Sequence, residues 1–284
     1  MSVYHVLFNP LAANGHGQES AEEIRRFYPK DEIVLHNIME ISDYAKFFAD
    51  IKAEDKVVLA GGDGTLNRFV NAVDGISYPN SIYFYGSGTG NDFLRDLEYK
   101  PGEEPVCIDR YLTQLPKVTV NGKTYRYING VGYGIDGYCC EVGDALKAKS
   151  SKPVNYTAIA IKGLLFHYKP TTAIVTVDGV RHEFKKAWLA PTMNGRFYGG
   201  GMMAAPKQNR LAPEHTQSVM LFYGKGKLKT LLVFPKIFSG EHVNKTDMVQ
   251  ILTGKHIIVE FDSPRALQID GETIVGVTRY EVQA

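Results

Sequence analysis

A glycine-rich turn, Gly61-Gly62-Asp63-Gly64-Thr65, is the stretch whose residue types best fit phosphate chemistry. It follows the apolar residues 57–60 and precedes a helix-like stretch, residues 66–73, so the order predicts a strand, a turn and a helix. Glycines leave the backbone accessible and tolerate positive φ, and the N–H groups that open a helix attract anions. The Asp63 carboxylate would repel phosphate oxygens unless a divalent cation lies between them. The turn therefore predicts a nucleotide site with Mg²⁺.

Two common phosphate-binding loops do not match this turn. A Walker A loop needs Lys followed by Ser or Thr after its last glycine, and a dinucleotide fingerprint has GxGxxG spacing. The turn has neither feature. A plain tight turn in which Asp63 caps the helix is the simpler alternative. A second glycine-rich turn, residues 86–90, follows the next predicted strand and favours the binding site.

Four short motifs together resemble a known family. Residues 61–65 resemble the GGDGT signature shared by diacylglycerol kinases, sphingosine kinases, NAD kinases and, more distantly, phosphofructokinases. Three further motifs narrow the choice: Asn9-Pro10, residues 88–93 (GTGNDF) and Asp270-Gly271-Glu272. In this combination they resemble the bacterial branch of the diacylglycerol kinase family of lipid kinases, over nearly the whole chain.

The resemblance implies an ATP-dependent kinase that transfers the γ-phosphate to a lipid hydroxyl, most simply that of diacylglycerol. It implies that Glu272, or less readily Asp270, is the general base for the hydroxyl proton, while Asp63 orders Mg²⁺ and its waters. A type I′ turn at Asp270-Gly271 is the structural alternative for that motif. The residues implied to enclose ATP are Asn9, Pro10, Gly15, Gly61, Gly62, Asp63, Gly64, Thr65, Leu66, Asn67, Gly88, Thr89, Asn91 and Asp92.

The chain departs from the family pattern at two places. Arg68 stands where the family has Glu, which inverts a charge near the predicted site. The loop 207–215 lacks the paired aspartates that support a metal in the family, and Glu214 is its only carboxylate. The resemblance thus leaves Glu214 as a second candidate for metal contact. A solvent-exposed loop residue is the simpler interpretation of Glu214.

Composition excludes several classes of partner. The 284 residues carry a formal net charge of +1, and no block of Lys or Arg offers the basic surface that nucleic acid binding needs. No apolar run approaches the roughly 20 residues of a membrane span. We expect a cytoplasmic protein with reduced cysteines that visits membranes peripherally to reach a lipid alcohol, and a homodimer is left open. Leucines and lysines in residues 225–238 could contact lipid, although a core-facing helix is the preferred interpretation.

Strands and helices alternate in the first third, which predicts a parallel sheet with its ligand loops at one edge. Ser20 with Glu23 suggests a capping box for one helix, and Ser42 an N-cap for the next. Prolines and glycines in residues 98–117 suggest a domain boundary, giving an α/β nucleotide-binding domain, residues 1–106, and a second domain, residues 107–284. Turn pairs such as Asn121-Gly122 and Asp178-Gly179 predict hairpins, and hence an antiparallel β-sandwich carrying the lipid acceptor side.

Three other functions remain open. An NAD kinase would share the GGDGT turn, but nothing here matches that family's TGSTAY-like stretch. A catalytically weak nucleotide-binding regulator would fit Arg68 and the missing aspartates. A kinase for another lipid alcohol, such as a sphingoid base or an undecaprenol-like alcohol, would differ only in the shape of the acceptor pocket.

Overall fold

The computed structural model describes residues 2–12, 15–87, 91–149, 154 and 156–284. The chain forms two compact units, one ending at Leu115 and the other spanning Pro116–Ala284. The sequence placed the boundary between residues 106 and 107. The structure places residues 106–115 with the first unit, because Cys107 and Val106 pair with Tyr83 and Phe84 in its sheet.

The first unit is an α/β domain with one five-stranded sheet. Its strand order is β2-β1-β3-β4-β5; the first four are parallel and β5 runs antiparallel at one edge. In chain order the elements are β1 (Val3–Phe8), α1 (Gly17–Glu22), β2 (Glu32–Asn37), α2 (Tyr44–Asp50), β3 (Lys56–Gly61), α3 (Asp63–Ala72), β4 (Ile82–Gly86), α4 (Asp92–Asp96), β5 (Val106–Cys107) and α5 (Asp109–Leu112). The predicted parallel sheet is confirmed.

The central strands of this sheet are apolar on both faces. Val6 and Leu7 of β1 are fully buried, as are residues 57–60 of β3, because helices cover both sides of the sheet. Two predicted helix caps were wrong. The first helix begins at Gly17, so Ser20 lies inside it, and the N-cap of α2 is Asp43, which accepts the Lys46 N–H at 2.9 Å.

The second unit consists mainly of antiparallel strands with helices against them. Its elements are β6 (Lys117–Val120), β7 (Lys123–Arg126), β8 (Gly130–Tyr133), α6 (Ile135–Lys147), α7 (Tyr156–Lys162), a π-helical turn (Gly163–His167), β9 (Thr171–Val177), β10 (Val180–Ala187), β11 (Thr192–Met193), β12 (Gln217–Phe222), α8 (Lys227–Val233), two 3₁₀ turns (Phe234–Ile237 and Glu241–Asn244), β13 (Val249–Gly254), β14 (His256–Ile269) and β15 (Glu272–Gln283). Every pairing described between these strands is antiparallel. The predicted fold class is confirmed.

The longest strand, β14, pairs with three other strands of this unit. Its first half pairs with β9 and its second half with β8, and the register with β15 shifts between Glu260 and Arg265. The sequence predicted two separate strands here, residues 257–261 and 266–269, since Ser263-Pro264 interrupts the apolar pattern. The structure instead has one continuous strand with a register shift at this position.

Three two-residue turns connect the hairpins as the sequence predicted. Both central residues have positive φ at Asn121-Gly122 (49° and 75°), Asp178-Gly179 (47° and 86°) and Asp270-Gly271 (46° and 99°). This is the geometry of a type I′ turn, which Asn-Gly and Asp-Gly adopt at low cost. The hairpin β14–β15 therefore presents its turn, and Glu272 after it, in a fixed register.

Three cysteines are present, and none forms a disulfide: Cys107 is exposed, Cys139 buried and Cys140 half-buried. Burial raises the pKa of the Cys139 and Cys140 thiols to about 12. Within the described ranges, no helix is long and apolar enough to cross a bilayer.

Candidate functional site

The glycine turn of the first unit joins β3 directly to α3. Gly62 is the N-cap, in an extended conformation (φ −112°, ψ −171°), and Gly64 lies in the first helical turn. None of Gly61, Gly62 and Gly64 has positive φ, so this turn does not use the left-handed conformations that glycine tolerates. The absence of a side chain at these positions leaves room for neighbouring groups. A Cβ on Gly61 would lie 2.4 Å from Thr65 Oγ1, whereas a Cβ on Gly64 would meet nothing within 4 Å.

The Asp63 carboxylate connects the start of α3 to the start of α4. Its Oδ2 accepts the Asp92 N–H at 2.8 Å and its Oδ1 accepts the Phe93 N–H at 3.1 Å. These N–H groups open α4, where a helix has no acceptor of its own for them. Asp63 therefore holds the start of α4 against the start of α3, a role that the sequence did not reveal because the partners lie 29 and 30 residues away.

The loop after β1 is also held by close backbone contacts. Asn9 Oδ1 accepts the Leu11 N–H at 3.0 Å, and a Cβ on Gly17 would lie 1.9 Å from the Asn9 carbonyl oxygen. Gly15 has a φ of 94°, a conformation that favours glycine. Because β1, β3 and β4 are neighbours and parallel, the loops of Asn9, Asp63 and Asn91 follow the same edge of the sheet.

The other predicted ATP-binding residues fall into three groups. Thr65, Asn67, Asn91 and Asp92 are buried at the starts of α3 and α4, and Pro10 is half-buried. Leu66 is fully buried in the core, so a contact with a ligand would come through its backbone. Gly88 and Thr89 lie outside the described residues.

Arg68, the charge that departs from the family pattern, lies on the exposed side of α3. Its Nη1 is 2.8 Å from Met39 Sδ, in the loop after β2. The neighbouring Thr65 and Asn67 are buried, so the guanidinium and these two side chains lie on different faces of the helix.

The turn between β14 and β15 distinguishes the two candidate bases. The Asp270 carboxylate accepts three backbone N–H groups, from Ile128 at 2.6 Å, Asn129 at 2.9 Å and Gly130 at 3.0 Å. Three donors on one carboxylate occupy most of its acceptor positions. Asp270 is thereby engaged in holding the turn, which makes it a poor proton acceptor for a substrate.

Glu272 lies two residues further on, at the start of β15, and its environment is different. Its side chain is exposed and makes no hydrogen bond or ion pair with any described residue. The turn before it is fixed from a second side, since the Gly271 N–H donates to Gln268 Oε1 at 2.7 Å. The second unit thus presents the Glu272 carboxylate, without a described partner, next to a turn that is held by hydrogen bonds from Asp270 and Gly271.

An arginine holds the loop that lacks the family's aspartate pair. Arg210 donates from Nη1 to the Ile128 carbonyl at 3.1 Å and from Nη2 to Asn129 Oδ1 at 3.2 Å. This is the same backbone segment that Asp270 holds. Glu214 is exposed, and across the described ranges no three His, Cys, Asp or Glu side chains group to hold a metal ion. The structure therefore provides no partner ligand for the predicted metal contact of Glu214.

Asp136 is a buried acid that the sequence analysis did not identify. It lies in the first turn of α6, 7% exposed, and neither carboxylate oxygen has a hydrogen-bond partner among the described residues. Burial raises its pKa to about 6. A Cβ on Gly132 would lie 2.0 Å from Asp136 Oδ2 and 2.5 Å from Gln268 Nε2, so this acid packs beside the amide that supports Gly271. In the sequence, the glycines at 132, 134 and 137 were the signal that could have pointed to close packing around this acid.

Comparison with known proteins agrees with this organisation. Residues 3–120 match the family model of the diacylglycerol kinase catalytic domain, and residues 129–282 match that of the YegS C-terminal NAD kinase beta sandwich-like domain. YtlR of Bacillus subtilis, a proposed lipid kinase, is 24% identical, with 99% of this chain and 96% of that protein covered. A diacylglycerol kinase of Mycobacterium tuberculosis is also 24% identical, over 89% of this chain and 84% of that protein.

A solved structure gives the same fold. The crystal structure of a proposed diacylglycerol kinase from Bacillus anthracis superposes with a TM-score of 0.68, covering 99% of this chain and 91% of that one at 18% identity. At this identity the likeness concerns the fold alone. The two family models cover both units, with the second model alone spanning more than half of the residues. The chain therefore belongs to the diacylglycerol kinase family of lipid kinases.

Proposed function

We propose that the protein transfers the γ-phosphate of ATP to the hydroxyl of a lipid alcohol, with diacylglycerol as the first candidate. ATP is converted to ADP, and the alcohol becomes a phosphomonoester as its proton leaves. The observation that carries the proposal is the Asp63 bridge, which ties the starts of α3 and α4 together at one sheet edge. Family membership supports the lipid acceptor.

Backbone N–H groups would bind the phosphates in this proposal. The start of α3 presents them beside Gly64, where no side chain fills the space. Phosphoryl transfer relies chiefly on positioning and on charge neutralisation, so a rigid edge suits it. No Walker-type lysine is needed if the loop and a cation share the phosphate charge.

The residues around Asp63 fit Mg²⁺ as a partner of ATP. Asp63 supplies carboxylate oxygens at the start of α3, the ligand type that Mg²⁺ and its bound waters prefer. When bound, Mg²⁺ would neutralise negative charge on the phosphates. Asp63 would hold it through its waters, as Mg²⁺ loses them reluctantly.

Glu272 would take the proton from the acceptor hydroxyl. Its carboxylate is exposed and unengaged, whereas the Asp270 carboxylate accepts three N–H groups. The hairpin turn fixes the backbone on which Glu272 stands, which a positioned general base requires. Asp270 then acts as a positioning residue.

A transfer assay with labelled ATP tests the proposal. The acceptor panel contains diacylglycerol, a sphingoid base, a long polyprenol alcohol and NAD, each with and without Mg²⁺. We expect Mg²⁺-dependent label in a lipid, strongest for diacylglycerol. Transfer to NAD alone would replace the proposal by an NAD kinase, and preference for another alcohol would correct only the acceptor.

A catalytically weak nucleotide-binding regulator is the second candidate. The 207–215 loop favours it, because Arg210 and not an aspartate pair holds this part of the second unit. ATP binding measured by calorimetry, without transfer to any member of the panel, would support the regulator over the kinase.

A further inference from the structure

The second unit contains a pocket whose residues have no part in the proposed kinase chemistry. Its volume is about 370 Å³, and it lies between α6, the end of the π-helical turn and the irregular part of the hairpin β14–β15. The register of this hairpin shifts on both sides of Arg265, and Gly276 on the opposite strand has a φ of 72°. Such irregularities bend a strand locally and re-aim its side chains. The two strands thus form part of the pocket because their ladder is interrupted there.

Positive charge predominates among the residues that line this pocket. Arg265 and Lys169 carry it, and His167 adds to it when protonated, whereas Glu141 is the only carboxylate among the lining residues. Within the part of the chain that the structure describes, no carboxylate forms an ion pair with Arg265 or Lys169. A ligand with negative charge would therefore meet cations that the protein itself does not neutralise.

Arg265 is held in place by main-chain acceptors and keeps further donors. Its Nη1 donates to the Pro264 carbonyl at 3.0 Å, and its Nη2 donates to the Lys169 carbonyl at 3.2 Å. Each Nη carries two N–H groups, so one on each remains beyond these bonds. The guanidinium carbon lies 5.5 Å from the centre of the Tyr168 ring. A guanidinium fixed in this way suits the planar recognition of an oxyanion.

Two buried polar atoms in the same wall have no partner. They are Arg265 Nε and the Tyr168 hydroxyl, and neither has a hydrogen-bond partner among the described residues. Tyr168 as a whole is 4% exposed. Burial raises the pKa of its hydroxyl and the Arg265 charge opposes only part of that shift, so the hydroxyl keeps its proton at neutral pH. Buried donors without an acceptor are costly, and an oxyanion reached by a small rotation of Arg265 would supply one.

We propose that this pocket binds a small soluble phosphate ester. The phosphate would accept N–H groups from Arg265 and lie beside Lys169, and the rest of the molecule would lie along Tyr138 and Ala266. Two or three cations facing one carboxylate suit a phosphate dianion better than a single carboxylate ligand. A volume of about 370 Å³ falls within the range of small-molecule sites, so it leaves room for a short polyol or a sugar beside the phosphate.

Calorimetric titration of the full chain tests the pocket without any turnover. The probes are inorganic phosphate and glycerol 3-phosphate, with glycerol as the neutral probe and glycerate as the carboxylate probe. We expect both phosphates to bind, more weakly as salt rises, and we expect glycerate to bind less tightly than glycerol 3-phosphate and glycerol not to bind.

Charge-removing variants locate the site. Arg265→Gln should lower the affinity for glycerol 3-phosphate about ten- to a hundredfold, since it removes the charged donors. Lys169→Gln should lower it about two- to fivefold, because Lys169 is exposed and screened by solvent. Arg181→Gln is the matched control, since Arg181 is an exposed arginine of β10 outside the pocket, and its affinity should be native.

Other results overturn the proposal. Native affinity in both Arg265→Gln and Lys169→Gln would place the phosphate elsewhere, for example at the glycine turn of the first unit. Absence of binding of both phosphates to the native chain, or equal affinity for glycerate, would also reject it. Binding to phosphatidic acid vesicles without binding of glycerol 3-phosphate would make a lipid headgroup the occupant. Urea unfolding of each variant distinguishes a lost pocket from a lost fold, and Lys169→Gln decides if Arg265→Gln does not fold.

Discussion

Asp63→Asn separates the chemical role of the GGDGT acid from its structural one. The native carboxylate accepts two N–H groups, one on each oxygen. The amide keeps one acceptor oxygen but turns an NH₂ group towards the other N–H, so one charge-assisted bond is lost and one donor faces another. Such a bond contributes about 1.5–3 kcal/mol, and the half-buried position of Asp63 places it towards the lower part of that range. We expect Asp63→Asn to loosen the start of α4 by about 1–3 kcal/mol and to abolish transfer.

Hydrogen exchange of the segment 91–97 measures the structural effect directly. Since 1.4 kcal/mol corresponds to a factor of ten, the Asp92 and Phe93 amides should exchange roughly ten to a hundred times faster than in the native chain. Asp43→Asn is the matched control, because Asp43 caps α2 through a single N–H, and asparagine caps nearly as well. Native exchange at residues 91–97 would refute the bridge, and native transfer would refute the Mg²⁺ role.

Three further predictions test the remaining residues. Glu272→Gln should lower kcat by about 10²–10⁴-fold with native ATP affinity, whereas Asp270→Asn should lower the free energy of unfolding by about 1–3 kcal/mol, because its carboxylate accepts three N–H groups. Transfer kinetics and urea unfolding followed by Trp188 fluorescence distinguish the two variants. The same kcat in both variants would contradict the assignment of Glu272 as the base. Gly64→Ala should weaken ATP binding in calorimetry while leaving thermal stability equal or higher, because the added Cβ meets open space in a helix. Gly61→Ala should instead lower thermal stability, because its Cβ would clash with the Thr65 side chain. Asp136 has a pKa raised by burial to about 6, so the folded state holds its proton more tightly than the unfolded state and loses stability as pH rises from about 4 to 6. Between pH 4 and pH 7.5, the free energy of unfolding of Asp136→Asn, measured in urea, should therefore rise by about 3 kcal/mol relative to that of the native chain. A difference that does not change with pH would refute the raised pKa of Asp136.

Sequence patterns predicted local features of this protein well. The βα alternation gave the parallel sheet, and Asn121-Gly122 and Asp178-Gly179 gave the hairpins, because the turn preference of each pair is a property of its own backbone. Apolar periodicity located α8 but left its faces undecided. The structure divides them: Val233 and Ile237 belong to the core, while Leu228 and Leu232 face outward.

Contacts between distant segments were beyond the reach of those patterns. The Asp63 bridge joins residues 29 positions apart, and Asp270 reaches back 140 positions to Gly130. Arg210 received no role from the sequence, because its bonds to the Ile128 carbonyl and Asn129 span about 80 residues. Asp136 is an acid in a helix's first turn, which sequence reasoning treats as favourable and exposed. It packs beside Gly132 and Gln268, which only the fold brings together.

The motif acids of this chain do not share one role. Asp63 and Asp270 both accept backbone N–H groups from distant segments, so their removal would affect structure and activity together. Loss of activity in either variant would not by itself identify a catalytic group. Glu272 differs because its carboxylate has no described partner, and a change there should alter chemistry without altering the fold. The assignment of the general base therefore depends on comparing exchange and stability with kinetics at all three acids, since activity alone would rank them equally.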